Sequence, residues 1–125
     1  MREITFSPLA ESDIQAALIW SAEHFDMAAQ DRYFALISQA FRDLRQDPQR
    51  AGSNMVPDLG PEFGGGRRLY HLRHSRNHVT PVADRVKNPR HFIVYRVAGD
   101  STLRIARLLH DRTDIPRHLL GEEND

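Results

Sequence analysis

The chain has 125 residues, of which 40% are hydrophobic and 8% aromatic, enough for the core of one compact domain. It contains no cysteine, which excludes disulfides, thiolate metal sites and a cysteine nucleophile. Its apolar runs are too short to span a bilayer and its N-terminus lacks a secretory signal pattern, so we expect a single cytoplasmic domain over residues 1–125.

The formal net charge is zero, but the charges are unevenly distributed along the chain. Residues 1–65 contain five Arg and ten acids, whereas residues 66–118 contain eleven Arg and one Lys against four acids. We expect the acidic tail, residues 119–125, to be flexible. Because the arginine fork suits phosphate and carboxylate groups, this segregation favours a surface for an anionic partner over ordinary solvated strand faces.

The N-terminal segment predicts a strand followed by a helix. Residues 2–6 alternate polar and apolar side chains, which is the period of a half-buried strand. Ser7 and Pro8 are typical of the N-cap and first position of a helix, which we expect to run to about residue 24. Its predicted apolar face consists of Leu9, Ile14, Ala17, Leu18 and Phe25.

A second helix and a linker are predicted next. Asp26 can cap a helix whose apolar residues recur at intervals of three and four down to Asp47, where a proline follows. The two helices should form an antiparallel hairpin. Residues 48–66 contain three prolines and end in three glycines, which indicates a linker within the domain and a hinge into the sheet.

The second half of the chain predicts three strands. They cover residues 67–74, 90–97 and 102–109, and the last two form a hairpin. Between the first two lie residues 75–89, which are polar and basic without a clear period, and we expect a mobile loop there. The predicted fold is α+β: an N-terminal strand and a helical hairpin packed on a small, mainly antiparallel sheet, in the order β-α-α-β-β-β.

This order of elements resembles the RelE/ParE toxin superfamily over nearly the whole chain. The similar motifs cover residues 6–14, 31–34, 47–48, 93–97 and 105–117. The chain is more similar to the ParE branch, whose members typically end in a Tyr-Arg strand, here Tyr95-Arg96, and a Leu-His-x-x-x-Asp segment, here Leu109 to Asp114. It departs from a typical member by the long basic insertion at residues 75–89.

The resemblance implies the toxic component of a type II toxin–antitoxin system, which arrests growth and stabilises plasmids. ParE-like members inhibit DNA gyrase and so block replication, whereas RelE-like members cut messenger RNA on the ribosome. In both branches a separate antitoxin protein forms a heteromeric complex with the toxin, and DNA is contacted only through that complex. The resemblance implies no metal, no organic cofactor and no membrane association.

The ParE interpretation predicts inhibition by binding, through the final hairpin, its tail and the arginines beside them. The predicted target-binding residues are Arg73, Arg76, Arg96, Arg104, Arg107, His110, Arg112 and Arg117. The RelE alternative is an mRNA endoribonuclease, with His110 as acid or base and Arg96 and Arg112 as ligands of the phosphate. The chain lacks the lysine cluster of many RelE-like enzymes, which favours binding over catalysis.

Each candidate residue also has a structural interpretation. His110 can cap the last strand, and Arg96 can pair with a helix acid such as Asp13 or Glu23. Three aromatic residues are predicted to pack in the core: Trp20, Phe92 and Tyr95.

Two further classes of function are alternatives to a toxin. The group of His71, His74, His78 and His91 is not predicted to bind a metal, because the first two fall on opposite faces of a strand and no adjacent carboxylate completes a site. A non-toxic nucleic-acid-binding module would use the basic half of the chain. It predicts an affinity that falls steeply with salt, and no growth arrest on expression.

Overall fold

The computed structural model describes residues 2–56, 66–99 and 101–113, which contain two α-helices and five strands. In chain order they are β1 Glu3–Phe6, α1 Pro8–His24, α2 Met27–Gln46, β2 Ser53–Met55, β3 Arg68–His71, β4 His91–Ala98 and β5 Thr102–His110. The predicted α+β order is confirmed, and β2 is an additional strand. Four predicted features lie outside the described residues. They are Gly64 of the hinge, Asp114 of the ParE-like motif, the target-binding residue Arg117 and the acidic tail.

Both helices begin at the predicted caps. Ser7 Oγ accepts a hydrogen bond from Ala10 N–H at 3.0 Å and donates one to the Ala106 carbonyl at 2.6 Å, so the cap also ties α1 to β5. Asp26 Oδ1 accepts from Ala29 N–H at 2.7 Å at the start of α2. The prediction was wrong for Phe25, which is 68% exposed because α1 ends one residue before it.

The five strands form one mixed sheet in the order β1-β5-β4-β3-β2. β1 pairs in parallel with β5, and the other neighbours are antiparallel. The predicted β4–β5 hairpin is confirmed, and Gly99, with a φ of 67°, lies in its turn. β2 was missed because it has only three residues and lies in the segment that its prolines and glycines marked as a linker.

The predicted strand at residues 67–74 ends early and the predicted irregular loop contains helical turns. β3 stops at His71, and a 3-10 helix, Leu72–His78, follows it. A second 3-10 helix covers Val82–Asp84. The segment folds against α2 because Ser75 and Val79 are buried, with exposures of 0% and 6%.

A buried carboxylate holds the first 3-10 helix on α2. Asp43, 3% exposed, accepts hydrogen bonds from Gln39 Nε2 at 2.9 Å and His78 Nδ1 at 2.8 Å, and pairs with Arg50 Nη1 at 3.4 Å. Burial alone would raise the pKa of Asp43, but the hydrogen bonds from Ser75 and its other neighbours outweigh it and lower the pKa. The carboxylate is therefore charged and fully engaged near neutral pH.

Asp43→Ala should loosen the 3-10 helix and expose the arginines within it to trypsin. The substitution leaves the buried Ser75 hydroxyl and three partly exposed donors without this acceptor, and we expect a loss of about 2 kcal/mol in the stability of this segment. If cleavage follows local opening, tryptic cutting at Arg73 and Arg76 should accelerate roughly 30-fold. Timed digestion with mass spectrometry measures this, and Asp31→Ala, at an exposed position of the same helix, is the control. Equal cleavage rates in the two variants would contradict the anchoring role.

The main core lies between the helices and one face of the sheet. Leu36, Ile37 and Leu44 of α2 pack against Tyr95 and Ile105, all buried to 1% exposure or less. Tyr95 is thus in the core as predicted. None of the helices in the described ranges combines the length and hydropathy needed to cross a bilayer.

A smaller apolar cluster occupies the opposite face of the sheet. Because neighbouring residues of a strand point to opposite faces, Val94 lies away from the helices and packs with Leu109 and Val56. Phe92 is partly buried in this cluster instead of the main core. We call this side of the sheet the outer face.

Candidate functional site

A cavity of about 680 Å³ lies between the α1–α2 turn, residues 83–90 and the end of β5. This volume is within the range of about 300–1,000 Å³ that is common for small-molecule sites. The described side chains that line it include five cations and no carboxylate. The cations are Arg32, Arg85, Lys87, Arg90 and Arg112. The cavity therefore has a strongly positive lining, drawn from three separate parts of the chain.

One wall of the cavity is aromatic and centres on Trp20. Its ring centroid lies 5.0 Å from that of His24, 6.0 Å from that of Phe25 and 6.3 Å from that of Tyr33. The prediction placed Trp20 in the core, but the residue is only half-buried and lines the cavity. The turn that leaves Phe25 exposed completes this wall.

Two buried polar side chains support the wall from behind. Arg90 N–H donates to Tyr33 Oη at 3.0 Å, and Tyr33 Oη shares a second hydrogen bond with His91 Nδ1 at 2.6 Å. Burial raises the pKa of Tyr33 to about 12. Burial, assisted by the nearby His110, lowers the pKa of His91 to about 4. Both side chains are therefore neutral near pH 7 and hold the wall by a hydrogen bond between uncharged groups.

Asp111 joins the end of β5 to the start of β4. Its carboxylate accepts from Arg90 Nε at 3.1 Å and from Arg90 Nη2 at 2.9 Å, and His71 Nε2 lies at 3.2 Å. Burial alone would raise the pKa of Asp111, but the hydrogen bonds from Arg90 and His71 outweigh it and lower the pKa. Arg90 thus forms an ion pair with Asp111, although its side chain also lines the cavity.

His110 and Arg112 lie together at the mouth of the cavity. His110 Nδ1 accepts a hydrogen bond from Arg112 N–H at 3.2 Å, an arrangement that puts the ring proton on Nε2. The ring centroids of His110 and Trp20 are 6.1 Å apart. His110 thus caps the turn after β5, as the structural interpretation predicts, and also lines the cavity.

Arg96 does not join this group. It lies directly opposite Arg104 in the β4–β5 register, whereas His91 at the start of β4 lies opposite His110. At about 3.3 Å per residue, five residues along β4 separate Arg96 from the cavity end by about 16 Å. The predicted residues therefore divide between two ends of the hairpin.

Arg107 lies inside the fold. It is 8% exposed, and its Nε and Nη2 donate to the carboxylate of Asp13 at 2.6 and 3.0 Å. Asp13, one of the two helix acids predicted as possible partners of Arg96, is thus paired with Arg107 instead. Arg73 is exposed on the first 3-10 helix, and Arg76 donates from Nε to the Val86 carbonyl.

Sequence reasoning missed most residues of the cavity. Arg32 lies in α2, and Arg85 and Arg90 lie in residues 83–90, so their proximity depends on how residues 72–90 fold back over the helical hairpin. The only available signal was the density of basic residues in the 75–89 insertion. In the described ranges, no group of three or more His, Asp or Glu side chains is arranged to hold a metal ion.

Residues 4–115 match the model of a protein family described as ParE toxin of type II toxin-antitoxin system, parDE. The chain belongs to this family. The match spans both helices, the hairpin and every residue of the cavity named above. It confirms the resemblance to the ParE branch, although a comparison with curated proteins gave no match. As a member of the ParE family, the chain is assigned to the toxins of type II systems.

Proposed function

We propose that this ParE-family toxin binds DNA gyrase in the cytoplasm and blocks replication, and that a cognate antitoxin neutralises it. Family membership supports the class of protein, and the charged end of the β4–β5 hairpin supports the mode of action. That end presents an arginine pair, Arg96 and Arg104, on the outer face of the sheet. Inhibition by this route needs binding alone and no chemical step.

The arginine pair is the observation on which the proposal rests. Arg96 and Arg104 are direct cross-strand neighbours, and like charges in this position destabilise a sheet. Within the described ranges, neither side chain makes a hydrogen bond or an ion pair. The apolar cluster around Val94 continues along the same face. An acidic partner surface with an apolar border would offset the repulsion and bind the pair.

Replacing Arg96 and Arg104 together with alanine should abolish growth arrest and gyrase inhibition while leaving the fold intact. The measurement is loss of supercoiling, and appearance of linear DNA, when purified gyrase and relaxed plasmid are mixed with the refolded chain. Arg42→Ala, which removes an exposed arginine from α2, is the control and should inhibit like the parent chain. A folded double variant with full inhibition would exclude this surface.

Messenger cleavage is the second candidate, because His110 and Arg112 adjoin one cationic cavity. A histidine that can exchange a proton beside arginines that stabilise phosphate charge has the groups needed for ribose-assisted cleavage. Adding the same preparation to translating ribosomes distinguishes the candidates. Cut messenger with unaffected gyrase would favour the enzyme, and cognate antitoxin should suppress either activity.

A further inference from the structure

We infer that the cavity beside Trp20 binds a nucleotide, with the base against the aromatic wall and the phosphate against the cations facing it. The inference is independent of the gyrase proposal, because the arginine pair lies at the other end of the β4–β5 hairpin. It applies equally to a free nucleotide and to one residue of a single strand.

The aromatic wall suits a flat heterocycle. Trp20 is half-buried, so its indole is held by its neighbours while part of its surface remains accessible from the cavity. Phe25 and His24 extend this surface and are exposed. Bases of any sequence stack on such side chains, because each base has a π-face. Phe25 contacts the Trp20 ring at one edge and leaves most of its own surface exposed.

Three of the cations are available for a phosphate. Arg85 donates to the carbonyls of Val79 and Asn77, and Arg90 is paired with Asp111, so these two shape the wall. By contrast, the side chains of Arg32, Lys87 and Arg112 make no hydrogen bond or ion pair within the described ranges.

These three side chains approach the cavity from different segments, α2, the 83–90 wall and the turn after β5. Such convergence of uncompensated positive charge on one cavity is typical of a site for a multiply charged anion.

Volume and polarity together favour a nucleotide over a bare anion. A cavity of about 680 Å³ is much larger than a phosphate ion, and five of its fifteen lining residues carry an aromatic ring. His110 can donate from Nε2, because its Nδ1 already accepts a hydrogen bond. It can therefore bind a ribose or base oxygen between the aromatic wall and the cations.

The single tryptophan makes the inference directly measurable, since Trp20 is the only one in the chain. Adenosine 5′-monophosphate should quench the fluorescence of the refolded full-length chain saturably. Adenosine and inorganic phosphate should each bind at least tenfold more weakly, because each engages one side of the cavity. A short oligoadenylate that binds more tightly, with a steeper dependence on salt, would indicate single-stranded nucleic acid as the source.

Matched variants test whether the nucleotide binds in this cavity. Lys87→Ala combined with Arg112→Ala should weaken nucleotide binding at least tenfold. Arg42→Ala, which removes an exposed arginine outside the cavity lining, should leave it unchanged. Three results would overturn the inference: no saturable quenching by mononucleotide or oligonucleotide from folded protein, equal binding of phosphate and nucleotide, or binding of an acidic peptide with nucleotides excluded.

Discussion

Asp13→Ala should lower the free energy of unfolding by about 3 kcal/mol, because it removes the Asp13 carboxylate that pairs with the buried Arg107 guanidinium. The side chains of Arg107 and Asp13 are only 10% and 16% exposed, and two hydrogen bonds join them. The same carboxylate accepts from Leu108 N–H at 3.0 Å, where β5 extends beyond β1. The substitution therefore removes both an ion pair and one of the hydrogen bonds that link α1 to β5.

Chemical denaturation in urea measures the loss at Asp13. Glu11→Ala is the matched control, because Glu11 is an exposed acid on the same helix and its removal should cost less than about 0.5 kcal/mol. Asp13→Asn should fall between the two, since it keeps an acceptor for the backbone but loses the charge. Similar unfolding energies for the variants at positions 11 and 13 would show that the pair contributes little.

The second large effect is a loss of stability in mild acid caused by His91. Its folded-state pKa is about 4, against about 6.5 in the unfolded chain, so between these values the unfolded state binds more protons. The contribution is therefore complete above pH 6.5 and lost as the pH falls toward 4. Near pH 5 the loss is about 2 kcal/mol. Burial also lowers the pKa of His71 and of His74, which adds to the effect in the same direction.

Unfolding curves at pH 7.5 and pH 5.0 test this prediction. His91→Asn retains an acceptor for the Tyr33 hydroxyl and cannot titrate, so the difference between the two pH values should shrink by roughly 2 kcal/mol. His24→Asn, at an exposed position, should leave the difference unchanged. If the pH dependence of His91→Asn matches that of the parent chain, acid sensitivity arises elsewhere.

The elements that the sequence predicted correctly are those determined by neighbouring residues. The caps at Ser7 and Asp26 and the β4–β5 hairpin depend on contacts within a few positions, and the structure confirms them. The 3-10 helix at Leu72–His78 was missed because its anchor, Asp43, lies 35 positions from His78. No local period records such a contact.

The sequence did not predict that Arg107 is buried, because β5 contains an irregularity. Strict alternation would place Arg107 on the same face as Leu103 and Ile105, but the register shifts opposite Val94 and Tyr95. Leu108 consequently joins the main core, whereas Arg107 pairs with Val94 in the register and binds Asp13 where β5 extends beyond β1. A one-residue bulge changes the faces of all later residues, and nothing in the alternation of this strand marks where it occurs.

The pairing of β1 with β5 also sets the order of events during synthesis. Ser7 and Ala106, which bond across this pair, are 99 positions apart. While the chain is growing, the helical hairpin emerges without the sheet that buries Leu36, and the arginine pair and the His110 end of the cavity come last. A nascent chain therefore lacks both proposed surfaces until β5 is in place.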